Sequence, residues 1–221
     1  LKIDEQGNLE NKYTIATAST SQRVIEKGKS ILELNNNYII LGSISQSSAS
    51  GPSNIWLSEY GIGSTNENDT LWTKTWNLDT YDIPEKLIQR VDGSFAFVGY
   101  SLNNLGEIES SWIINTDNTG NEISSIILTG SIYIYDFLEN LEGNYVVAGK
   151  KLIGENFQGW ISCYNSQGNQ IWESIYGDGE NSLFRSIKQT ADQGYILSGE
   201  SQLNGTTTIL HVKTDPYGNI N

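Results

Sequence analysis

The chain has 221 residues and a formal net charge of −13, with 26 acidic and 13 basic side chains. This acidic balance, with no basic stripe to offset it, argues against a nucleic-acid partner, and the absence of an apolar run of about eighteen residues argues against a membrane span. A single cysteine excludes an intramolecular disulfide, and 22 glycines, 12 tyrosines and 6 tryptophans are typical of an all-β domain with many turns.

The first pattern along the chain is a hairpin signal of the form Asp-x-x-Gly-Asn. Its Asp or Asn opens a turn by accepting hydrogen bonds from the backbone downstream, and its Gly supplies the positive φ that closes the turn. The pattern occurs at residues 4–8, 117–121, 165–169 and 215–219. A longer polar loop, 61–70, replaces it in the first full copy. We therefore interpret the acids of the pattern, Asp4, Asp117 and Asp215, as turn formers.

Each copy also contains a leading strand and then an aromatic-led strand that ends on glycine. These closing glycines, which we call the anchor glycines, are Gly42, Gly99, Gly149 and Gly199. They lie 57, 50 and 50 residues apart, which indicates a repeat architecture. Both faces of the aromatic-led strands are apolar, which predicts sheets that are covered on both sides.

The leading segment of the second copy, residues 80–90, is the best candidate for a helix, with Pro84 in a possible first turn. It aligns with the leading strands of the other copies, and this alignment favours a strand.

The predicted fold is an all-β β-propeller with about four four-stranded blades, because roughly fifty residues in four short strands match one blade. The whole chain, 1–221, is predicted to be a single repeat domain. Its repeats are predicted at about 17–80, 81–129, 130–178 and 179–221, and residues 1–16 complete a terminal blade.

The two ends of the chain lie at the same phase of the repeat, because residues 1–9 match residues 212–220. Either the chain is a segment of a larger propeller, or residues 11–16 pair with the strand 209–215 and close a ring. The duplicated start favours the larger propeller. The sequence contains no Met and begins without a signal peptide, which predicts a mature or excised piece.

The repeat consensus, Asp-Gly-Gly-Tyr, three apolar residues and Gly, then Trp, Lys-Thr-Asp-x-x-Gly-Asn and Trp, resembles repeats of secreted bacterial β-propeller proteins. The likeness is greatest to Bacteroidetes surface and exported proteins, and residues 192–219 carry it best. The resemblance implies an extracellular binding or scaffolding module, secreted or at the cell surface, with a protein or glycan partner. A weaker similarity to quinoprotein propellers is explained by hairpin geometry alone.

Candidate chemistry is sparse in the sequence. His211, the one histidine, lies in a predicted strand and is interpreted as structural or superficial; Cys163 is interpreted as a buried, inert thiol. Paired acids that would suit glycoside hydrolysis are Asp136 with Glu139 and Asp178 with Glu180, although the sequence does not bring two acids from different blades together.

Two further features have a structural and a functional interpretation. Residues 177–181 resemble half of a calcium-binding loop but lack its alternating ligands and bidentate Glu. Trp72 and Trp76, beside the loop 61–70, form either a sugar-stacking surface or part of the core, and alignment of Trp72 with Trp172 favours the core.

The sequence therefore predicts a non-enzymatic module with no catalytic, cofactor-binding or metal residue. Binding is assigned to loops, which tolerate variation: 43–54, 61–70, 101–110 and 150–158. The alternatives are a glycoside hydrolase or lyase on a propeller, which predicts acids from several blades clustered at the centre, and a structural spacer, which predicts no pocket.

Overall fold

The structure is a computed structural model, and it describes residues 2–3, 6, 9–11, 24–35, 37–46, 51–61, 70–177 and 180–220. Every regular element among these residues is a β-strand, so the chain is all-β as predicted. Residues 81–89 of the ambiguous leading segment form a strand and not a helix.

The strands form four successive antiparallel units; a parallel pairing of Ser53 with Tyr81 joins the first two units into one eight-stranded sheet, and the others form sheets of four and three strands. Unit 1 comprises β3 (Val24–Glu33), β4 (Asn37–Gln46), β5 (Ser53–Gly61) and β6 (Thr70–Trp76). Unit 2 comprises β7 (Tyr81–Gln89), β8 (Phe95–Leu102), β9 (Ile108–Thr116) and β10 (Glu122–Thr129). Unit 3 comprises β11 (Ile132–Glu139), β12 (Tyr145–Ile153), β13 (Asn156–Tyr164) and β14 (Gln170–Tyr176). Unit 4 comprises β15 (Ser182–Gln189), β16 (Tyr195–Leu203) and β17 (Thr206–Thr214).

The units pack face against face, and this burial explains why their central strands are apolar on both sides. Leu41 of unit 1 shares a core with Phe97 of unit 2, and Val146 of unit 3 shares one with Leu197 of unit 4. The leading strands β3, β7, β11 and β15 contact one another in chain order. No sheet closes on itself among the described strands.

Asn11 of β2 (Leu9–Asn11) pairs with β1 (Lys2–Ile3), and residues 12–16, which the ring-closure alternative pairs with the last strand, lie outside the described residues. Two predicted loops differ from expectation: half of 101–110 and most of 150–158 are strand. In the second of these, Gly154 has a φ of 63°, which permits a tight turn and lets β12 and β13 pair along their full length.

The Asp-x-x-Gly-Asn turns have the predicted geometry where they are described, although Asp4 lies outside that part of the chain. Asp117 accepts hydrogen bonds from the backbone N–H groups of Thr119 and Asn121, at 2.8 and 2.9 Å, and Gly120 has a φ of 77°. Asn165 accepts the equivalent bonds in unit 3. These residues are turn formers, as the sequence indicated.

The anchor glycines are required by a close approach between two strands of each unit. A Cβ on Gly149 would lie 1.8 Å from the carbonyl oxygen of Tyr133, and one on Gly199 would lie 1.9 Å from that of Leu183. Gly42 and Gly99 face leading-strand carbonyls in the same way, at 2.3 and 2.2 Å. Each unit therefore needs a residue without a side chain at this position, because the opposing atom is backbone and cannot turn away.

Replacing Gly149 by Ala tests this requirement. We expect a loss of about 3 kcal/mol or more in the free energy of unfolding, because the new methyl group must displace a backbone carbonyl. Gly28→Ala is the matched control, since a Cβ there would meet nothing closer than 4.0 Å. Denaturant unfolding of the two variants measures the difference, and equal stabilities would contradict the steric explanation.

The turn acids predict a specific acid sensitivity. Hydrogen bonds from Asn121 and Thr119 hold the pKa of Asp117 at about 2, below its ordinary value. A group with a lowered folded pKa stabilises the fold above its unfolded pKa of about 3.9, and this contribution is lost as the pH falls through the folded pKa. Wild type should therefore be more stable than Asp117→Asn at pH 7, and the difference should shrink between about pH 4 and pH 2.

The chain offers a reciprocal control, because Asn165 occupies the equivalent place in unit 3. Asn165→Asp should acquire the same acid sensitivity that Asp117→Asn loses. Unfolding curves at pH 7 and pH 2.5 compare the variants. Parallel pH profiles for all three proteins would show that the turn carboxylates do not stabilise the fold through their charge.

Candidate active site at the bulges of the leading strands

Each leading strand contains one β-bulge, and the four bulges occupy equivalent positions. The register shifts lie between Gly28 and Ser30, Pro84 and Lys86, Ile134 and Asp136, and Phe184 and Ser186. The residues skipped by the pairing, which we call the bulge residues, are Lys29, Glu85, Tyr135 and Arg185. A bulge bends the strand and re-aims a side chain, and bulges are frequent beside active sites.

The bulge residues and their neighbours form one connected group, the bulge cluster. The ammonium nitrogen of Lys29 lies 3.3 Å from Oε2 of Glu85. The guanidinium carbon of Arg185 lies 4.6 Å from the ring centroid of Tyr135, and its Nε donates to Oε1 of Glu200 at 3.2 Å. These contacts join unit 1 to unit 2 and unit 3 to unit 4.

Tyrosine rings connect the two halves of the cluster. The Tyr100 ring makes edge contacts with Tyr133 and Tyr135, with centroids 4.9 and 6.1 Å apart. Its hydroxyl is near enough to Glu85 to lower the pKa of that carboxyl slightly. The tyrosine rings therefore lie beside the charged groups of the cluster.

The environment of the cluster raises the pKa of Glu85. Burial raises its pKa above the ordinary value, and the neighbouring Lys29, Arg185 and Tyr100 lower it by less. Burial raises the pKa of Tyr135 to about 12 and that of Tyr100 still further. Glu85 is thus an acid whose neutral form is stabilised, among phenols that keep their protons at neutral pH.

A cavity of about 450 Å³ opens beside the cluster between units 1 and 2. Lys29 and Tyr100 belong to both the cavity wall and the cluster, and Tyr81 and Ile83 add apolar surface. A ligand in this cavity therefore lies against the residues that surround Glu85.

The acid pair Asp136 and Glu139 does not form a catalytic site. Asp136 accepts hydrogen bonds from Ser186 and the N–H of Ile187 in unit 4, whereas Glu139 accepts two from Arg90 of unit 2, at 3.0 and 2.8 Å. The two side chains lie on opposite faces of β11, since they are three residues apart. Both acids join neighbouring units.

The second predicted acid pair is not assembled either, because Asp178 lies outside the described residues and Glu180 accepts a hydrogen bond from the backbone of Asn204 at 3.0 Å. The half-loop 177–181 is described only in part. Among the residues that the structure describes, no group of three or more His, Cys, Asp or Glu is placed to hold a metal ion. No helix in this part of the chain is long and apolar enough to cross a membrane.

The two other residues considered in the sequence, His211 and Cys163, occupy positions without a catalytic environment. His211 is exposed on β17. Cys163 is buried, and burial raises the pKa of its thiol to about 11, which opposes the reactive thiolate. Both interpretations made from the sequence agree with these environments.

Trp72 and Trp76 belong to the packing between units 1 and 2. Trp72 lies against Gly120, and the Trp76 ring makes an edge contact with Phe97, with centroids 5.0 Å apart. Trp172 covers Gly218 in the same way in the later units. The core interpretation of Trp72 and Trp76 holds, because both are partly buried against the core that units 1 and 2 share.

The bulge cluster was missed in the sequence because no local motif marks it. Its signal is positional: Lys29 precedes its anchor glycine by 13 residues, and each of the other bulge residues precedes its own by 14. The repeat alignment contained this offset, but a bulge changes which face a side chain occupies, and that change is not visible in an alternating pattern.

The comparisons with known proteins show a fold without a sequence family. No protein-family model and no curated protein matches the sequence. A solved GH43 β-1,3-galactosidase, which has a propeller fold, matches with a TM-score of 0.53 and 8% identity. The match covers 91% of this chain and 46% of the galactosidase, so the chain spans about half of that protein. At this identity the likeness concerns the fold alone.

Two further solved structures match with TM-scores below 0.5 and carry no argument. A mannose phosphorylase from Leishmania mexicana has a TM-score of 0.47 and 10% identity, covering 86% of this chain and 69% of its own. A protein of unknown function from Bacteroides caccae has a TM-score of 0.37 and 9% identity, covering 88% and 80%.

The match to the galactosidase contradicts the prediction of a non-enzymatic module, because a solved structure that shares the fold is a glycan-active enzyme. The prediction was wrong because it treated the repeats as typical of binding and scaffolding proteins alone, and because the acids of the sequence were paired by proximity along the chain and not by the positions of the bulges.

The raised pKa of Glu85 predicts that ionisation of this side chain destabilises the fold. A carboxyl with a raised folded pKa stabilises the fold fully below its unfolded pKa of about 4.3, and loses that contribution as the pH rises through the folded pKa. Glu85→Gln, which mimics the neutral acid, should therefore raise the unfolding midpoint at pH 7. The gain should diminish as the pH falls toward about 4.

Glu139→Gln provides the opposite control. Its carboxylate is 8% exposed and accepts bonds from Arg90 and from the N–H of Val91, so its loss should lower the free energy of unfolding by about 2 kcal/mol at pH 7. Thermal unfolding at several pH values measures both effects. A destabilised Glu85→Gln at pH 7 would show that the cluster favours the ionised acid.

Proposed function

We propose that the chain carries a glycan-active site, which hydrolyses a glycosidic bond at the bulge cluster with Glu85 as the proton donor. The observation that carries this proposal is the convergence of three bulge residues, two cations and a phenol, near the fourth, Glu85, whose pKa is raised by burial. The GH43 galactosidase supports it through the shared fold. Because the chain spans about half of that enzyme, the activity of the whole protein is part of the proposal.

Glu85 has the properties that a general acid needs. Cleavage of a glycosidic bond requires a proton on the departing oxygen, and a carboxylic acid supplies it best when its pKa is raised toward neutrality. Burial has this effect at Glu85. The ammonium group of Lys29, 3.3 Å from Oε2 of the same carboxyl, holds it in position.

Glu200 is the second carboxylate of the proposed reaction. It lies on β16 and is held at 3.2 Å by Arg185, which also covers the Tyr135 ring. Hydrolysis needs one carboxyl to protonate the leaving oxygen and a second to activate water or attack the sugar carbon. The hydrogen bond from Arg185 holds the Glu200 carboxylate at the edge of the cluster.

The tyrosines of the cluster provide the surface for the sugar ring. Aromatic side chains combine an apolar face with a polar hydroxyl, which suits a saccharide with an apolar ring face and polar edges. The Tyr100 ring contacts the rings of Tyr133 and Tyr135 edge-on, and in this proposal the sugar ring binds against this group of tyrosines.

The same proposal includes the architecture and the location. We infer that the units are blades of a propeller whose axis runs past the bulge cluster; the side-by-side leading strands and the shared fold support this. Secretion or display at the cell surface, where polysaccharides are accessible, remains a prediction from the repeats.

Turnover of aryl glycosides tests the reaction directly. Wild type should release the aryl group from at least one member of a panel of galactosides, glucosides, mannosides and xylosides. Glu85→Gln should lower kcat by about 10²-fold or more, because the proton donor is lost. The exposed Glu109, on β9, supplies the control: Glu109→Gln should leave kcat unchanged.

Substrates with good leaving groups sharpen the assignment, since dinitrophenol needs no protonation. Glu85→Gln should lose much less activity on dinitrophenyl glycosides than on alkyl glycosides, whereas Glu200→Gln should lose activity on both. Absence of turnover by wild type across the panel, or a Glu85→Gln variant with wild-type rates, would refute the proposed hydrolysis.

A further inference from the structure

Lys150 lies beside the bulge cluster, in a polar cavity of about 290 Å³ between units 3 and 4. The wall combines the ring of Phe157 with the polar side chains of Gln202 and Thr207. Such a wall offers both an apolar face and hydrogen-bonding groups, as a sugar requires. Glu200, the second carboxylate of the proposed reaction, also belongs to this wall, so the cavity and the cluster are adjacent.

The ammonium group of Lys150 is held between aromatic rings. It lies 4.3 Å from the ring centroid of Tyr133 and 4.2 Å from that of Phe157. No carboxylate pairs with it within the part of the chain that the structure describes. Its neighbour Lys151, on the opposite face of the strand, forms an ion pair with Glu173 at 2.8 Å. Among the described residues, Lys151 therefore forms an ion pair with a carboxylate and Lys150 does not.

A second cation adds to the charge near this cavity. Arg185 is close enough for its charge to act on Lys150, and burial together with that charge lowers the pKa of the Lys150 ammonium. Removal from water and a like charge both disfavour a cation. An anion bound between Lys150 and Arg185 would offset both the lost hydration of the ammonium group and its repulsion by the guanidinium group.

The region is electropositive in an acidic chain. Three basic side chains belong to the bulge cluster and the cavity at Lys150: Lys29, Lys150 and Arg185. Among the described residues of these two features the acids are Glu85 and Glu200, so basic groups exceed acidic ones here although the chain carries a net charge of −13. A local excess of this sign attracts anionic ligands that the rest of the surface repels.

We propose that the cavity at Lys150 is a subsite for an acidic sugar, whose oxyanion, the carboxylate of a uronic acid or a sulfate ester, binds the ammonium group of Lys150. The ring of that sugar stacks on Phe157 and its hydroxyls meet the polar wall. This inference names the substrate class of the proposed function and rests on that function for the glycan. The oxyanion contact itself requires no turnover.

Binding of free monosaccharides tests the subsite, because they contain no glycosidic bond to cleave. Glucuronic and galacturonic acids are compared by NMR titration with glucose and galactose, and galactose 6-sulfate with galactose. The acidic sugars should bind at least 10-fold more tightly than their neutral counterparts. Preference for the uronic acids or for the sulfate identifies the source of the oxyanion.

Variants of the two adjacent lysines separate the site from general charge. Lys150→Gln should reduce the affinity for acidic sugars to that for neutral sugars, and Lys150→Arg, which keeps the charge, should retain the preference. Lys151→Gln removes the same charge one residue away and should leave the preference intact. Lys150→Arg should also unfold at the wild-type temperature, which shows that a substitution at this position leaves the fold intact.

Three results would overturn the inference. Equal affinities for acidic and neutral sugars would remove the oxyanion contact. An unchanged preference in Lys150→Gln would place the contact elsewhere. Sodium sulfate or acetate binding as tightly as the acidic sugars would show an ion site without a sugar. Failure of the proposed hydrolysis is a separate result, because it leaves the monosaccharide titration unaffected.

Discussion

The close approach of a leading-strand carbonyl to an anchor glycine is the constraint from which the rest of the structure follows. At Gly149 the approach leaves no room for a side chain, since a Cβ would lie 1.8 Å from the Tyr133 oxygen. The strand pairs through this point and then shifts register by one residue. The shift frees Tyr135 from the alternation of the strand and directs it away from the packed faces. The same arrangement in all four units produces four such side chains on one surface.

The bulges meet because hydrogen bonds hold the leading strands side by side. Residues that follow a bulge accept a backbone N–H from the next unit: Ser30 accepts from Leu87 at 3.2 Å, and Asp136 accepts from Ile187 at 3.0 Å. A leading strand is the edge of its own unit, so these side chains satisfy backbone donors that would otherwise lack partners. Asp136 therefore contributes to the site without touching a ligand, because it aligns the strands that carry Tyr135 and Arg185.

The sequence predicted the repeated structure well and the site poorly, for one physical reason. Turns, anchor glycines and apolar strands each follow from local chemistry, and Asp117 and Gly120 could be interpreted from five consecutive residues. The bulge cluster depends on contacts between units, such as Lys29 with Glu85, 56 residues away. An isolated sequence pairs acids that are close along the chain, as with Asp136 and Glu139, although a strand places these two on opposite faces. The fold, and not the spacing, decides which acids share a surface.

The bulge position carries a different residue in each of the four units, whereas the anchor position carries the same residue in all four. Glycine occupies every anchor, as expected when backbone geometry is the constraint. The bulges carry Lys29, Glu85, Tyr135 and Arg185, two cations, an acid and a phenol, although their backbone environment is the same. A purely structural position would favour similar side chains in equivalent places. The contacts of Lys29 with Glu85 and of Arg185 with Tyr135 show that these residues complement one another. Complementary chemistry on an identical backbone is the property expected of a site that binds one asymmetric ligand.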